Sequence, residues 1–117
     1  MAAEKKHPLG FVIEKGILSG PFTAGIEVAG VLQKNFKLRE ATVDDLLDAE
    51  LEADVSRPLN FNAALLTRQL VAIGTFEGPV TMALIRRLKP ADWRILRAAQ
   101  AEVDALGEGE PADAPAS

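Results

Sequence analysis

The sequence predicts an α+β fold, with an N-terminal antiparallel β-hairpin or three-stranded sheet packed on a C-terminal four-helix bundle. Three observations predict it. Residues 22–39 alternate apolar and polar in twos, the period of a half-buried strand. From Val43 onward the apolar residues recur every three or four positions, the period of a helix face. Between them, Thr42-Val43-Asp44-Asp45 places a threonine three residues before an acid, the pattern of a capped helix start, with both carboxylates where a helix end is partly positive.

The totals bound the answer. A chain of 117 residues, 48% hydrophobic and 26% charged, has the size and composition of one soluble globular domain. We expect a flexible arm over 1–8, the domain over 9–107 (sheet 9–40, helices 43–106) and a disordered acidic tail over 108–117. No apolar run approaches the ~18 residues that span a bilayer, and the polar start leads into no signal-peptide core. Without cysteine there is neither a disulfide framework nor a thiolate metal site. These features point to a cytoplasmic protein with no membrane partner. The net charge of -4 speaks against nucleic acid as the main partner.

Phe11-Val12-Ile13 and Ile17-Leu18 allow a first strand, and Ser19-Gly20-Pro21 then breaks the chain. Phe22, Ala24, Ile26 and Val28 form one apolar face; Leu32, Phe36 and Leu38 form another, with Lys34 the exception. A two-residue loop, Ala29-Gly30, would set Ile26 opposite Gln33 and every apolar residue opposite a polar one. A three-residue loop, Val28-Ala29-Gly30, sets Ile26 opposite Leu32 and Phe22 opposite Phe36, with Gly30 at the position that needs positive φ. We expect the second register.

The first helix is expected over 43–53, with Val43, Leu46, Leu47 and Leu51 buried; on that reading Leu47→Ala costs roughly 2–5 kcal/mol. Asn60 caps a second helix that buries Phe61, Leu65, Leu66, Leu70 and Ile73 and ends at Gly74. Pro79 opens a short third helix to Leu88. Pro90 and Asp92 open a fourth, with Trp93, Leu96, Ala99, Val103 and Leu106 inward and Gly107 at its end.

No catalytic constellation stands out. The glycines lack the spacing and the lysine of a phosphate loop, and the lone His7 lies in the arm, away from any serine and acid that would complete a triad. Two charged clusters remain. Asp44, Asp48 and Glu52 fall four apart on the first helix, which reads as a solvated face, a protein-contact surface or a divalent-cation site. Arg86, Arg87, Lys89, Arg94 and Arg97 crowd the third and fourth helices. Trp93 is the single aromatic beside them and fits helical spacing with Leu96, so a core position is favoured over a base-stacking platform. The two clusters either neutralise each other within one subunit or join subunits head to tail.

The stretch "LREATVDDLLDAE", the two-strand approach before it and "GPVTMALIRRLKPADWRILRAAQAEVDAL" after it resemble the tail assembly chaperones of Mu-like long-tailed bacteriophages, over roughly residues 22–106. The resemblance implies a non-enzymatic chaperone without cofactors, acting in the cytoplasm of the bacterial host. It implies a role in keeping the long helical tape-measure protein soluble while the tail tube polymerises, and absence from the mature virion. The tape-measure protein is thus the expected partner, with the tail tube protein and a second copy of the chain as further ones. A structural tail or head-tail component is the alternative. The matching residues look architectural, so no binding surface carries over. From the charges alone, Asp44, Asp48, Glu52, Arg86, Arg87, Arg94 and Arg97 are the candidate protein-binding residues.

Overall fold

The computed structural model describes residues 7–109. Along the chain lie β1 (Val12–Glu14), β2 (Ile17–Val28), β3 (Val31–Arg39), α1 (Val43–Glu52), α2 (Pro58–Gln69), β4 (Leu70–Ile73), α3 (Met82–Ile85) and α4 (Pro90–Gly109). The strands form one antiparallel sheet in the order β1-β2-β3-β4. The chain leaves the sheet after β3, makes a two-helix excursion and returns to pair with the open edge of β3.

Two tight turns start the sheet. Lys15-Gly16 (φ 54° and 80°) and Ala29-Gly30 (φ 52° and 82°) each hold both central residues in the left-handed region. That is the two-residue turn whose twist matches the flanking strands. The three-residue loop expected at Val28-Ala29-Gly30 is therefore replaced by a two-residue one, with Val28 opposite Val31 and Ile26 opposite Gln33. Gly30 has the expected positive φ, but both registers place it there. Gln33 tolerates the buried position because its amide donates to Thr75 Oγ1 (3.1 Å) and its carbonyl accepts from Thr75 N (3.3 Å). Leu32 turns outward. Ser19-Gly20-Pro21 does not break the chain but lies inside β2. A Cβ on Gly20 would sit 2.6 Å from the Phe11 ring and 3.1 Å from that of Phe36, so glycine is what lets the two rings close over the strand.

The register changes once along β2. Pro21 pairs with Asn35 and Ile26 with Gln33, so residues 22–25 bulge opposite Lys34 alone. The shift lets Phe22, Ile26 and Val28 on one side, and Phe36 and Leu38 on the other, all turn inward. The bulge would leave amides unpaired, and α4 supplies their acceptor. The Asp92 carboxylate, wholly buried in the first turn of α4, accepts from the amides of Thr23 (2.6 Å), Ala24 (3.1 Å) and Gly25 (2.9 Å).

The expected four-helix bundle is absent, and the sheet has four strands rather than two or three. The run 70–73 pairs with β3 instead of continuing α2: Leu38 faces Leu70 and Phe36 faces Ile73. Leu66, Leu70 and Ile73 fit helical spacing as well as the run fits a strand, and the unpaired amides and carbonyls along β3 decide the matter. The expected cap at Asn60 is not used: α2 starts at Pro58, with Arg57 in the cap position and no side-chain cap bond. α3 is a single turn capped by Thr81, whose Oγ1 accepts from Leu84 N (3.2 Å). α4 runs past Gly107 to Gly109 and lies across β2 and β3. The main core joins Leu18, Phe36 and Leu38 of the sheet to Leu66 of α2 and Leu96, Ala99 and Val103 of α4.

Buried polar groups tie these layers together. Gln69, at the helix-to-strand switch, donates to the Arg39 carbonyl (2.9 Å) and accepts from Gln100 (2.9 Å), which accepts in turn from Arg97 (2.6 Å). Arg39 donates to both oxygens of Asp45 (2.7 and 3.1 Å) and to the Arg68 carbonyl (2.7 Å). Asp45 closes a capping box: Thr42 Oγ1 accepts from Asp45 N (3.1 Å), and Asp45 Oδ2 accepts from Thr42 N (2.8 Å). His7 stacks on Phe11 and bonds Glu102 (2.7 Å). The rest of the expected arm, and the tail from 110 on, lie outside the described residues.

Two outcomes follow from these contacts. Asp92→Ala strands three amides and should lower stability by about 3 kcal/mol or more in urea melts; a loss under 1 kcal/mol would show that the bulge is held by something else. The hydrogen bonds from Arg39, and then those from Thr42, hold the Asp45 carboxyl at about 2, below the ordinary 3.8 and against the opposing push of burial. A group whose pKa is depressed on folding stabilises the fold above its unfolded pKa. Asp45 should therefore give stability that is complete above pH ~4 and lost between ~4 and ~2. Asp45→Asn should flatten that part of a pH–stability profile.

Candidate protein-interaction surface

α1 turns its smallest side chains inward. Ala49 and Ala53, four apart, pack against Ala64 and Leu65 of α2, and Asp45 completes the buried row. Small residues let two helix backbones approach closely, which explains why an alanine face is buried here. The consequence overturns the expected inward face. Val43 is 68% exposed, Leu46 41%, Leu47 55% and Leu51 87%. The leucines that periodicity assigns to the core form an apolar stripe facing water.

The carboxylates border this stripe. Asp44 and Asp48 follow its edge beside Leu47 and Leu51, Glu50 lies within it, and all three are exposed. Among the described residues the side chains of these three make no hydrogen bond or ion pair, whereas Glu52 is held by Arg68 of α2 (2.7 Å). The expected column of Asp44, Asp48 and Glu52 is thus divided, two at the stripe and one committed to the α1–α2 joint. No group of three or more His, Asp or Glu among the described residues is placed to hold a metal ion.

The basic residues divide in the same way. Arg87 donates to the Glu27 carbonyl (2.6 Å) and ties α3 to the β2–β3 hairpin. Arg97 serves the buried Gln100. Arg86 lines a groove of about 290 Å³ formed by Leu59, Ala63, Ile85, Leu88, Pro90 and Trp93. Arg94, one turn on from Pro90, is exposed, as is Lys89. Trp93 is half-buried as a groove wall packed against the main core. Sequence reasoning missed this groove, because its walls come from three helices. It also read Asp92 as a helix opener and missed its role under the β2 bulge. The inward face of α1 had one signal, the spacing of Ala49 and Ala53, which larger leucines outweighed. Among the described residues no helix is long and apolar enough to cross a membrane.

The sequence model of a family described as "Tail assembly protein gp41" matches residues 22–113. The "Probable tail assembly protein gp41" of Escherichia phage Mu is 34% identical over 87 residues, covering 65% of this chain and 59% of that protein. The "Probable tail assembly protein FS-gp41" of the same phage matches at the same identity, with 45% of its length covered. The "Mu-like prophage FluMu protein gp41" of Haemophilus influenzae is 32% identical over 93 residues, 69% of this chain and 66% of that protein. The chain thus spans less than two thirds of either phage Mu relative. No solved structure matches.

The surface assignment replaces the core reading of Leu47. Leu47→Ala should leave urea stability within about 0.5 kcal/mol of wild type. Leu96→Ala, with its side chain fully buried, should cost about 2–5 kcal/mol. Equal losses in the two variants would return Leu47 to the core.

Proposed function

We infer the role of this chain from its family: it belongs to the tail assembly protein gp41 family of Mu-like phages. Within tail assembly, we propose that it is a chaperone rather than an enzyme. It binds the phage tape-measure protein in the host cytoplasm, keeps its helices soluble while the tail tube polymerises, and leaves before the virion is complete.

The observation that carries this reading is the stripe Val43, Leu46, Leu47 and Leu51. A helix that fills its own interface with alanines has no folding need for leucines on the other side. Apolar side chains grouped on one exposed helix face suit contact with an apolar helix of a partner. The flanking carboxylates favour a partner helix with lysine or arginine beside its apolar row and discourage aggregation of the unoccupied stripe.

The test is co-expression of tagged chain with the phage tail proteins, followed by capture and by protein analysis of purified particles. The tape-measure protein should be the main catch and the chain should be missing from particles. Leu47→Asp with Leu51→Asp should abolish capture while leaving the circular dichroism spectrum and melting temperature unchanged. Undiminished capture by that variant would remove the stripe from the mechanism. Stoichiometric chain in particles would instead make it a structural tail or head-tail component.

A further inference from the structure

We propose that the leucine stripe of α1 docks into the Trp93 groove of a second copy of this chain, joining copies head to tail. Both halves of the contact are present in one subunit. The stripe offers Leu46, Leu47 and Leu51, with Asp44 and Asp48 along its edge. The groove is apolar along Leu59, Ile85, Leu88 and Trp93, and Arg86 lines it. Lys89 and Arg94 stand exposed beside it. Among the described residues the side chains of Arg86, Lys89 and Arg94 have no ion-pair or hydrogen-bond partner, and neither do those of Asp44 and Asp48. Each surface therefore carries apolar area together with uncommitted charge, and the charges are opposite in sign. Such complementarity orients an encounter and penalises the alternatives of stripe on stripe or groove on groove.

One subunit cannot satisfy both halves by itself. Leu59 and Ala63 face the groove, while Phe61 and Leu65, on the opposite face of α2, meet α1. α1 turns its alanines toward α2 and its stripe away. α2 thus stands between the stripe and the groove of the same chain, and the stripe points outward. The partner must be another copy, and because the two surfaces differ, the contact is heterologous and propagates to a ring or an open chain. A few leucines make a small interface, which sits at the weak end of protein contacts and gains strength only by repetition. The inference does not depend on the tape-measure reading, although a partner helix and a second copy compete for the same stripe.

Trp93 is the sole tryptophan of the chain, so its emission reports the groove directly. Purified protein should show a concentration-dependent rise in mass by light scattering at low salt, with a blue shift in Trp93 emission as water leaves the indole. Both should diminish as the Debye length falls from ~10 Å at 0.1 M salt to ~3 Å at 1 M. Asp44→Lys with Asp48→Lys should abolish the blue shift although it alters no groove residue. Arg86→Glu with Arg94→Glu should also yield monomer, and circular dichroism should show both variants folded. Mixing the two charge-reversed proteins should restore mass and blue shift, since each supplies the sign the other lacks. Monomeric wild type at every concentration overturns the inference, as does association that survives either reversal or a mixture that stays monomeric. A monomeric wild type that still captures the tape-measure protein overturns this inference alone, leaving the proposed function standing.

Discussion

The carboxylate of Asp92 is the joint on which this fold depends. A strand that bulges by several residues loses its ladder partners, and orphaned amides in a packed interior are costly. Here Thr23, Ala24 and Gly25 deliver those amides to one buried side chain at the start of α4. The arrangement has two results. The bulge resets the hairpin register so that both ends of β2 bury their own apolar residues. It also fixes where α4 begins, which sets Leu96, Ala99 and Val103 over the sheet. The carboxylate lies near the positive end of its own helix as well, so the same charge is favoured by the helix dipole.

A second layer hangs on the return of the chain to β3. β4 closes the sheet edge, and Gln69 marks the switch by reaching the Arg39 carbonyl from the last helical position of α2. Arg39 meanwhile holds Asp45, which closes the capping box of α1 with Thr42. The end of β3, the start of α1 and the end of α2 are therefore one bonded unit. α1 is held there by its cap, by Glu52–Arg68 and by alanine packing. Since none of these contacts uses a leucine of α1, the apolar stripe is left for another molecule.

The charges follow the same economy. Of the seven charged residues that stand out in the sequence, Glu52, Arg87 and Arg97 are committed to contacts within the subunit. Asp44, Asp48, Arg86 and Arg94 remain at the two exposed apolar surfaces. The acidic and basic regions do not cancel within one subunit as blocks; each contributes some members to the fold and leaves the rest at a surface.

The sequence by itself determined what depends on near neighbours. Thr42 and Asp45 are three apart, so the capping box and the start of α1 were readable. Pro90 opening α4 and the inward spacing of Leu96, Ala99 and Val103 were readable for the same reason, whereas Leu106, expected inward with them, is exposed near the end of the helix. The stretch from Leu38 to Glu50, with the helices after it, also carried the family. Only the tertiary structure decided which of two locally acceptable patterns survived. Leu70–Ile73 suits helix and strand alike, and the open edge of β3 chose strand. Val43, Leu46, Leu47 and Leu51 are the more hydrophobic face of α1, yet Ala49 and Ala53 are buried because α2 approaches closely enough to need small residues. Gln33 and Asp92 look like surface residues until Thr75 and the β2 amides meet them. In each case the deciding partner lies far along the chain, and hydrophobic periodicity has no access to it.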